Sequence, residues 1–400
     1  MEIVEFFLKF ALVLVSAKAM AEIFARAGLP GVIGEVLAGV IIGPSVFGVI
    51  GQEPTFMLLA NIGAIFLLFH VGLETDVGML LSVGGQASLV AVTGVLLPFA
   101  AAVAACYYLF SMPGTASAFA AGTLVATSIG ITLRVLKDLG MGRGAVAQVV
   151  LGAAVLDDVI GVAVLAVLMA FVEMGRLEVL SSLKVMGLIV LVLALAPALG
   201  PVLRRALEWL DRFSKTSGAV STTVVAFMLA MSALTHSFGA PEIIGAFAAG
   251  LALTGSPAAF RGGGRKHGPP EMRIKEVERD LAPIGELFMP FFFVMVGVSM
   301  DLRLVDFSSG HFWAFAGLLT AIAVLTKLAS GVWVKGTMEK KLAVGMAMVP
   351  RGEVGLVFAQ AGLVRGVFDL SAYAAVVFVV ALTTLLGPVL LKPLMGKKEP

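Results

Sequence analysis

The chain has 400 residues, of which 59% are hydrophobic and only 14% charged, with a mean hydropathy of +1.03. Soluble domains carry about 25% charged residues, so a multi-pass membrane protein is the first reading and a soluble globular enzyme is set aside. A formal net charge of +2 gives no footing for nucleic-acid binding, and the single cysteine, Cys106, excludes disulfides and thiolate metal sites.

A spanning helix needs roughly 20 mostly apolar residues, and about thirteen such segments are expected. They run over about 4–27, 31–50, 55–74, 85–110, 116–138, 144–173, 181–208, 216–238, 241–256, 280–300, 311–335, 340–364 and 370–395. The first, "MEIVEFFLKFALVLVSAKAMAEIF", lacks a basic leader and a small-residue cleavage site, so it reads as a span and not as a signal peptide. The second is short and Gly-rich and holds Glu35, whose role is open. His70 and His236 lie near span ends and read as interfacial. The fifth span carries Thr127 and Ser128 just ahead of Gly130, and the sixth carries adjacent aspartates, Asp157 and Asp158, within "AAVLDDVIGVAVL". Segment 181–208 reads as a linker between two halves, and 241–256 is again short and Gly-rich. The basic stretch 257–279 reads as a solvated cytoplasmic connector. Lys327 falls within the eleventh span; in the twelfth, Pro350 and Gly352 flank Arg351, and Glu353 follows.

Lysines and arginines divide unevenly between alternate loops, with roughly 20 on one side and about 4 on the other (Arg176, Lys184, Arg303, Arg365). The positive-inside rule then predicts a cytoplasmic C-terminus and, with an odd span count, an N-terminus outside.

The chain also repeats itself. "LPGVIGEVLAG" at 29–39 aligns with "APEIIGAFAAG" at 240–250, and "FHVGLETD" at 69–76 aligns with "VMVGVSMD" at 294–301. The second offset also places Gly130 on Gly355, inside the two spans that carry polar residues. Asp76 is expected on the cytoplasmic side and Asp301 outside, so the repeats have opposite topology. Inverted repeats with interrupted helices at matching positions point to a secondary transporter.

Two aspartates and a lysine near span centres carry a penalty of order 8–10 kcal/mol if unpaired, on insertion scales. Such residues normally pair, face a wet cavity and serve function. Adjacent residues on a helix point about 100° apart, so Asp157 and Asp158 border one cavity without sharing a proton. An ammonium at Lys327 that pairs one carboxylate leaves the other for a proton and a small cation to compete over, as one coupled titration. The bland alternative is a buried Asp–Lys bridge that only fixes packing. Proline and glycine in mid-span free backbone carbonyls, which are tolerated only where buried or facing water. Those carbonyls, the Thr127 and Ser128 hydroxyls and a carboxylate are oxygen ligands suited to Na⁺. The two hydroxyls have the alternative of bonding back to their own helix. Arg351 and Glu353 are placed to neutralise the ends of half-helices meeting at the midplane.

The motifs "GEVLAGVIIGP" (34–44), "LLFHVGLE" (67–74), "LVATSIGIT" (124–132), "AAVLDDVIG" (153–161), "TKLASG" (326–331) and "VPRGEVGL" (349–356) span nearly the whole chain. Together they resemble the bacterial NapA-type sodium/proton antiporters, within the cation:proton antiporter family that includes Kef-type potassium systems. The resemblance implies an all-α polytopic membrane protein of about thirteen helices, with inverted six-helix repeats (about 4–173 and 216–396) and two crossed broken helices. It implies a core bundle over about 85–173 and 311–396, with the remaining helices forming a dimer domain in a homodimer. By the same resemblance Asp158 is the cation- and proton-carrying residue and Asp157 is its neighbour, bridged to Lys327. Thr127 and Ser128 match polar residues of the first broken helix, and Arg351 and Glu353 those of the second. The implied activity is electrogenic, elevator-type exchange of cytoplasmic Na⁺ (or Li⁺) for external protons across a bacterial inner membrane, with no cofactor. Kef-type proteins usually carry another residue before the ion-binding aspartate. A K⁺/H⁺ antiporter and an uncoupled channel or membrane sensor are the competing readings. An intramembrane aspartyl protease is excluded, because adjacent aspartates on one helix cannot face each other across a peptide bond.

Overall fold

The computed structural model describes residues 3–27, 29–75, 77–138, 140–141, 144–174, 179–213, 219–238, 241–254 and 270–395. Every regular element among them is helical, as expected where lipid leaves no solvent partner for an open backbone. In chain order the α-helices are α1 (Ile3–Arg26), α2 (Gly31–Ile42), α3 (Pro54–Glu74), α4 (Val77–Ala104), α5 (Gly114–Gly122), α6 (Ile129–Asp138), α7 (Ala145–Met174) and α8 (Val179–Phe213). The second half continues with α9 (Ala219–Ser237), α10 (Glu242–Thr254), α11 (Pro270–Val298), α12 (Gly310–Ser330), α13 (Met338–Ala347), α14 (Glu353–Val364) and α15 (Leu370–Met395).

Among the described residues, 7 helices are long and apolar enough to cross a membrane: α3, α4, α7, α9, α11, α12 and α15. The bent α8 makes an eighth, turning by 48° between Ala196 and Ala198, where Pro197 interrupts the ladder. The protein is thus an all-helical, multi-pass membrane protein. The expected span 31–50 is helical only as far as Ile42. Gly43 is extended there, and Pro44 after it cannot continue the ladder. Conversely, α11 starts ten residues before the expected 280, because "PEMRIKEVER" is a good helix former that is not apolar.

The expected spans 116–138 and 340–364 are each two half-helices, α5 with α6 and α13 with α14. Between α13 and α14, Pro350 lacks an N–H and disfavours helical geometry at Val349. The break between α5 and α6 has no proline. There α5 tightens, with Leu124 and Val125 donating three residues back to Ala121 and Gly122, and the freed Ser128 N–H donates across to Pro350 O at 2.9 Å. Each break depends on the other.

Contacts divide the chain into two compact units, one of residues 1–57, 83–183 and 293–400 and the other of 58–82 and 184–292. In the first, Phe119, Leu124, Phe315, Leu319, Phe358 and Val376 lie in a buried apolar cluster where α5, α12, α14 and α15 meet. Here α1 and α2 approach so closely that a Cβ on Gly34 would stand 2.3 Å from Met20 O. Further along α2, a Cβ on Gly39 would stand 1.9 Å from Val294 O of α11, and one on Gly297 would stand 2.0 Å from Val36 O.

The second unit contains the same contacts at repeat-equivalent positions. A Cβ on Gly245 of α10 would meet Met231 O of α9 at 2.2 Å, one on Gly250 would meet Phe69 O of α3 at 2.4 Å, and one on Gly72 would meet Phe247 O at 2.4 Å. Gly34, Gly39 and Met20 stand at one offset from Gly245, Gly250 and Met231; Phe69 and Gly72 stand at another from Val294 and Gly297. On α3, a Cβ on Gly63 would stand 2.3 Å from the carbonyl of Phe288, its own counterpart at that second offset.

Candidate functional site

Helix α7 is apolar on almost every face, and its two aspartates are buried, Asp157 fully and Asp158 with 3% of its surface exposed. Lys327, one turn from the end of α12, is also fully buried. Its ammonium lies 2.5 Å from Asp157 Oδ2 and donates to Thr127 Oγ1 at 3.1 Å. Thr127 stands in the first break, with its hydroxyl 2.8 Å from Asp157 Oδ2 and 3.1 Å from Met348 O in the second. With one proton to give, the hydroxyl donates either to the carboxylate or to the carbonyl. Four parts of the chain, α7, α12 and both breaks, thus meet at one buried polar centre, while Asp157 Oδ1 has no hydrogen-bond partner. Asp158 occupies the next position of α7, about 100° around it.

Arg351 supports the other side of the breaks. It is fully buried, and its Nη1 donates to Met348 O at 3.1 Å and to Ala126 O at 3.4 Å, while Nε and Nη2 have no partner. A guanidinium that holds two carbonyls freed by two broken helices carries positive charge to their partial negative ends. Ser128 sits against Gly352, where a Cβ would come within 2.7 Å of Ser128 Oγ, so glycine leaves room for that hydroxyl. Gly130 is buried in the first turn of α6. Glu353 opens α14, and its side chain lies outside the described residues, as do Asp76 and residues 257–269 of the basic connector.

Sequence reasoning missed two threonines. Thr132 Oγ1 donates to Ala347 O at 2.8 Å, and Thr384 Oγ1 lies 2.5 Å from Arg351 O and 2.7 Å from Val380 O. Both stand where a carbonyl has lost its helical partner. Their only signal was a buried hydroxyl residue in an apolar run.

Elsewhere His70 lies 3.8 Å from Glu278, and His236 lies 3.4 Å from Glu242. Glu35 is 1% exposed and its Oε2 has no partner. It lines a cavity of about 460 Å³ with Lys18, Glu22, Arg134 and Asp138. Three of those residues are already engaged, since Arg134 pairs with Asp138 at 3.2 Å, and Glu22 pairs with Arg26 at 2.8 Å.

Buried paired charges at two helix breaks are the arrangement expected of a membrane ion carrier. Residues 11–397 match the family described as "Sodium/hydrogen exchanger, transmembrane". The chain belongs to the sodium/hydrogen exchanger family. This exchanger-family chain is 33% identical over 400 residues to the Na(+)/H(+)-K(+) antiporter GerN of Bacillus cereus, covering 99% of this chain and 97% of that protein. It is 29% identical over 428 residues to the high-affinity Na(+)/H(+) antiporter NhaS3 of Synechocystis sp., covering 96% and 89%. Among solved structures, its fold is similar to that of the sodium proton antiporter MjNhaP1 from Methanocaldococcus jannaschii, with a TM-score of 0.73 at 16% identity and full coverage of both chains.

Proposed function

We propose that the protein exchanges Na⁺ or Li⁺ from the cytoplasm for external protons, and that Asp158 is the carboxylate at which the two compete. The observation that carries this reading is a pair of adjacent buried aspartates at two helix breaks, with Asp157 bound by Lys327 and Thr127 and Asp158 buried at the next position. Oxygen ligands for a hard cation come from Asp158, the hydroxyls of Thr127 and Ser128 and the carbonyls of the breaks. Cation binding at Asp158 displaces its proton, and a change of occupancy loosens Lys327 from Asp157. A carrier that moves more than one proton per Na⁺ is electrogenic.

The movement is elevator-like: a core of about 85–173 and 311–396 slides against the remaining helices, which form the dimer contact, and exposes Asp158 to one side at a time. Thirteen spans in inverted repeats suit this motion. The repeated glycine contacts support the repeat, because three close approaches recur at matching offsets. The C-terminus lies in the cytoplasm of a bacterial cell and the N-terminus outside its inner membrane, in line with the lysine and arginine bias.

A second reading, K⁺/H⁺ exchange, is favoured by the likeness to a relative whose name includes K⁺. Purified protein in proteoliposomes, with an imposed proton gradient and a pH-sensitive dye, separates the two when Na⁺, Li⁺, K⁺ and choline are added in turn. Collapse of the gradient by Na⁺ and Li⁺ alone supports the first reading, and collapse by K⁺ supports the second. Full activity in Asp158→Asn would overturn the site.

A further inference from the structure

Gly94 lies within α4, buried, at the place where that helix passes the Lys327 side chain. A Cβ on Gly94 would stand 3.1 Å from Lys327 Nζ, 3.4 Å from Cδ and 3.7 Å from Cε. Two other glycines of the same helix, Gly84 and Gly85, have nothing within 4 Å of the equivalent point. Glycine in a helix interior is less favourable than alanine, so a glycine here has to be explained by what fills the space. What fills it is the end of a lysine stem and its ammonium.

We infer that Gly94 is a positioning residue for the exchange site, its bare backbone forming the wall that sets where the Lys327 ammonium stands. On the far side of that ammonium are Asp157 Oδ2 at 2.5 Å and Thr127 Oγ1 at 3.1 Å. A methyl on Gly94 stands inside the optimal separation of non-bonded heavy atoms, about 3.5–4.0 Å, so the ammonium must move by a few tenths of an ångström. It cannot move straight toward Asp157, because that contact is already shorter than the usual charge-assisted N–H···O bond of about 2.7–2.9 Å. The push therefore turns the ammonium off the line between Asp157 and Thr127. A displacement of 1 Å at a reacting centre can reduce a rate about a hundredfold, and a smaller shift here predicts a loss of about tenfold.

The transport consequence rests on the proposed antiport, and the test separates the two. Gly94→Ala and the control Gly85→Ala are made in the native chain and in an Asp157→Asn/Lys327→Ala background, where that buried ion pair is removed. Exchange, its dependence on pH and the KM for Na⁺ are measured in proteoliposomes for the native-background variants, and melting temperature in detergent for all. The expected result is that Gly94→Ala lowers exchange about tenfold, shifts the pH of half-maximal exchange and lowers the melting temperature in the native background. In the background without the Asp157–Lys327 pair, Gly94→Ala behaves like Gly85→Ala. An equal loss of melting temperature in both backgrounds, or an unchanged pH profile and melting temperature in the native one, would overturn the inference. Absence of exchange in the unmodified protein would instead overturn the proposed function, and the melting comparison would still decide the role of Gly94.

Discussion

Arg351 Nη1 donates to the carbonyl oxygen of Ala126 at 3.4 Å, and the two residues stand 225 positions apart, the offset that also carries Gly130 onto Gly355. The guanidinium therefore reaches its own counterpart in the other half of the chain. The two helix breaks meet position against position, but only one of them brings a charge.

Removing that charge takes the guanidinium from the Ala126 and Met348 carbonyls and leaves Met348 O only the Thr127 hydroxyl. Hydrogen bonds to a charged group contribute about 1.5–3 kcal/mol each, so Arg351→Ala should destabilise by about 2–4 kcal/mol, allowing for the long second bond. Arg351→Lys should not restore it, because a point ammonium lacks the planar fork that serves two carbonyls at once. Thermal unfolding of the purified variants tests the ranking native, then Lys, then Ala.

The Lys327–Asp157 pair predicts a different pattern. Losing one partner of a buried ion pair costs about 3–5 kcal/mol, whereas replacing both with neutral groups is often close to neutral. Lys327→Ala and Asp157→Asn should each lower the melting temperature more than the double variant does. A double variant that loses the full sum of the two single losses would mean that they do not act on each other.

At the helix crossings the repeat makes a prediction of its own. Gly39→Ala and Gly72→Ala each place a methyl within 2.4 Å of a facing carbonyl, and neither backbone has a flexible side chain to yield. Both should reduce the yield of folded protein to a similar degree, although they lie far apart in sequence. Gly85→Ala, which meets nothing, should leave it unchanged. Fluorescence-detected size exclusion of the three variants gives the comparison.

Much of this was legible before any coordinates. Two charged spans and two interrupted ones announce themselves in an apolar chain, because charged and polar residues in mid-span are costly enough to be rare. Helix ends were less legible, because hydropathy reports the thickness of lipid crossed and not the length of the helix. That is why α11 begins at Pro270 and α8 runs on to Phe213. The partners of Thr132 and Thr384 were not legible at all. A hydroxyl that caps a carbonyl from another helix looks the same in sequence as one that bonds back to its own. The glycine blocks were visible as alignments, but their purpose, backbone meeting backbone, is a property of two helices and not of either segment.

Among the described residues, Glu35 is the buried carboxylate with an unpartnered oxygen outside the site. If it only packs, Glu35→Gln removes a poorly compensated charge and should raise the melting temperature at pH 8, where a carboxylate is most costly to bury. A rise in melting temperature accompanied by loss of exchange would instead place Glu35 in the transport cycle.

The glycine crossings also dictate an order of assembly. Gly39 of α2 finds its partner only on α11, and nearby Ser45 bonds to Met300, 255 residues later. Helix α2 therefore enters the bilayer with its closest contact not yet synthesised, and that face of it stays open to lipid through most of translation. Contacts so distant in the chain form slowly. The early helices must be stable enough to wait, and the two halves, expressed as separate polypeptides, should find each other through the same glycines.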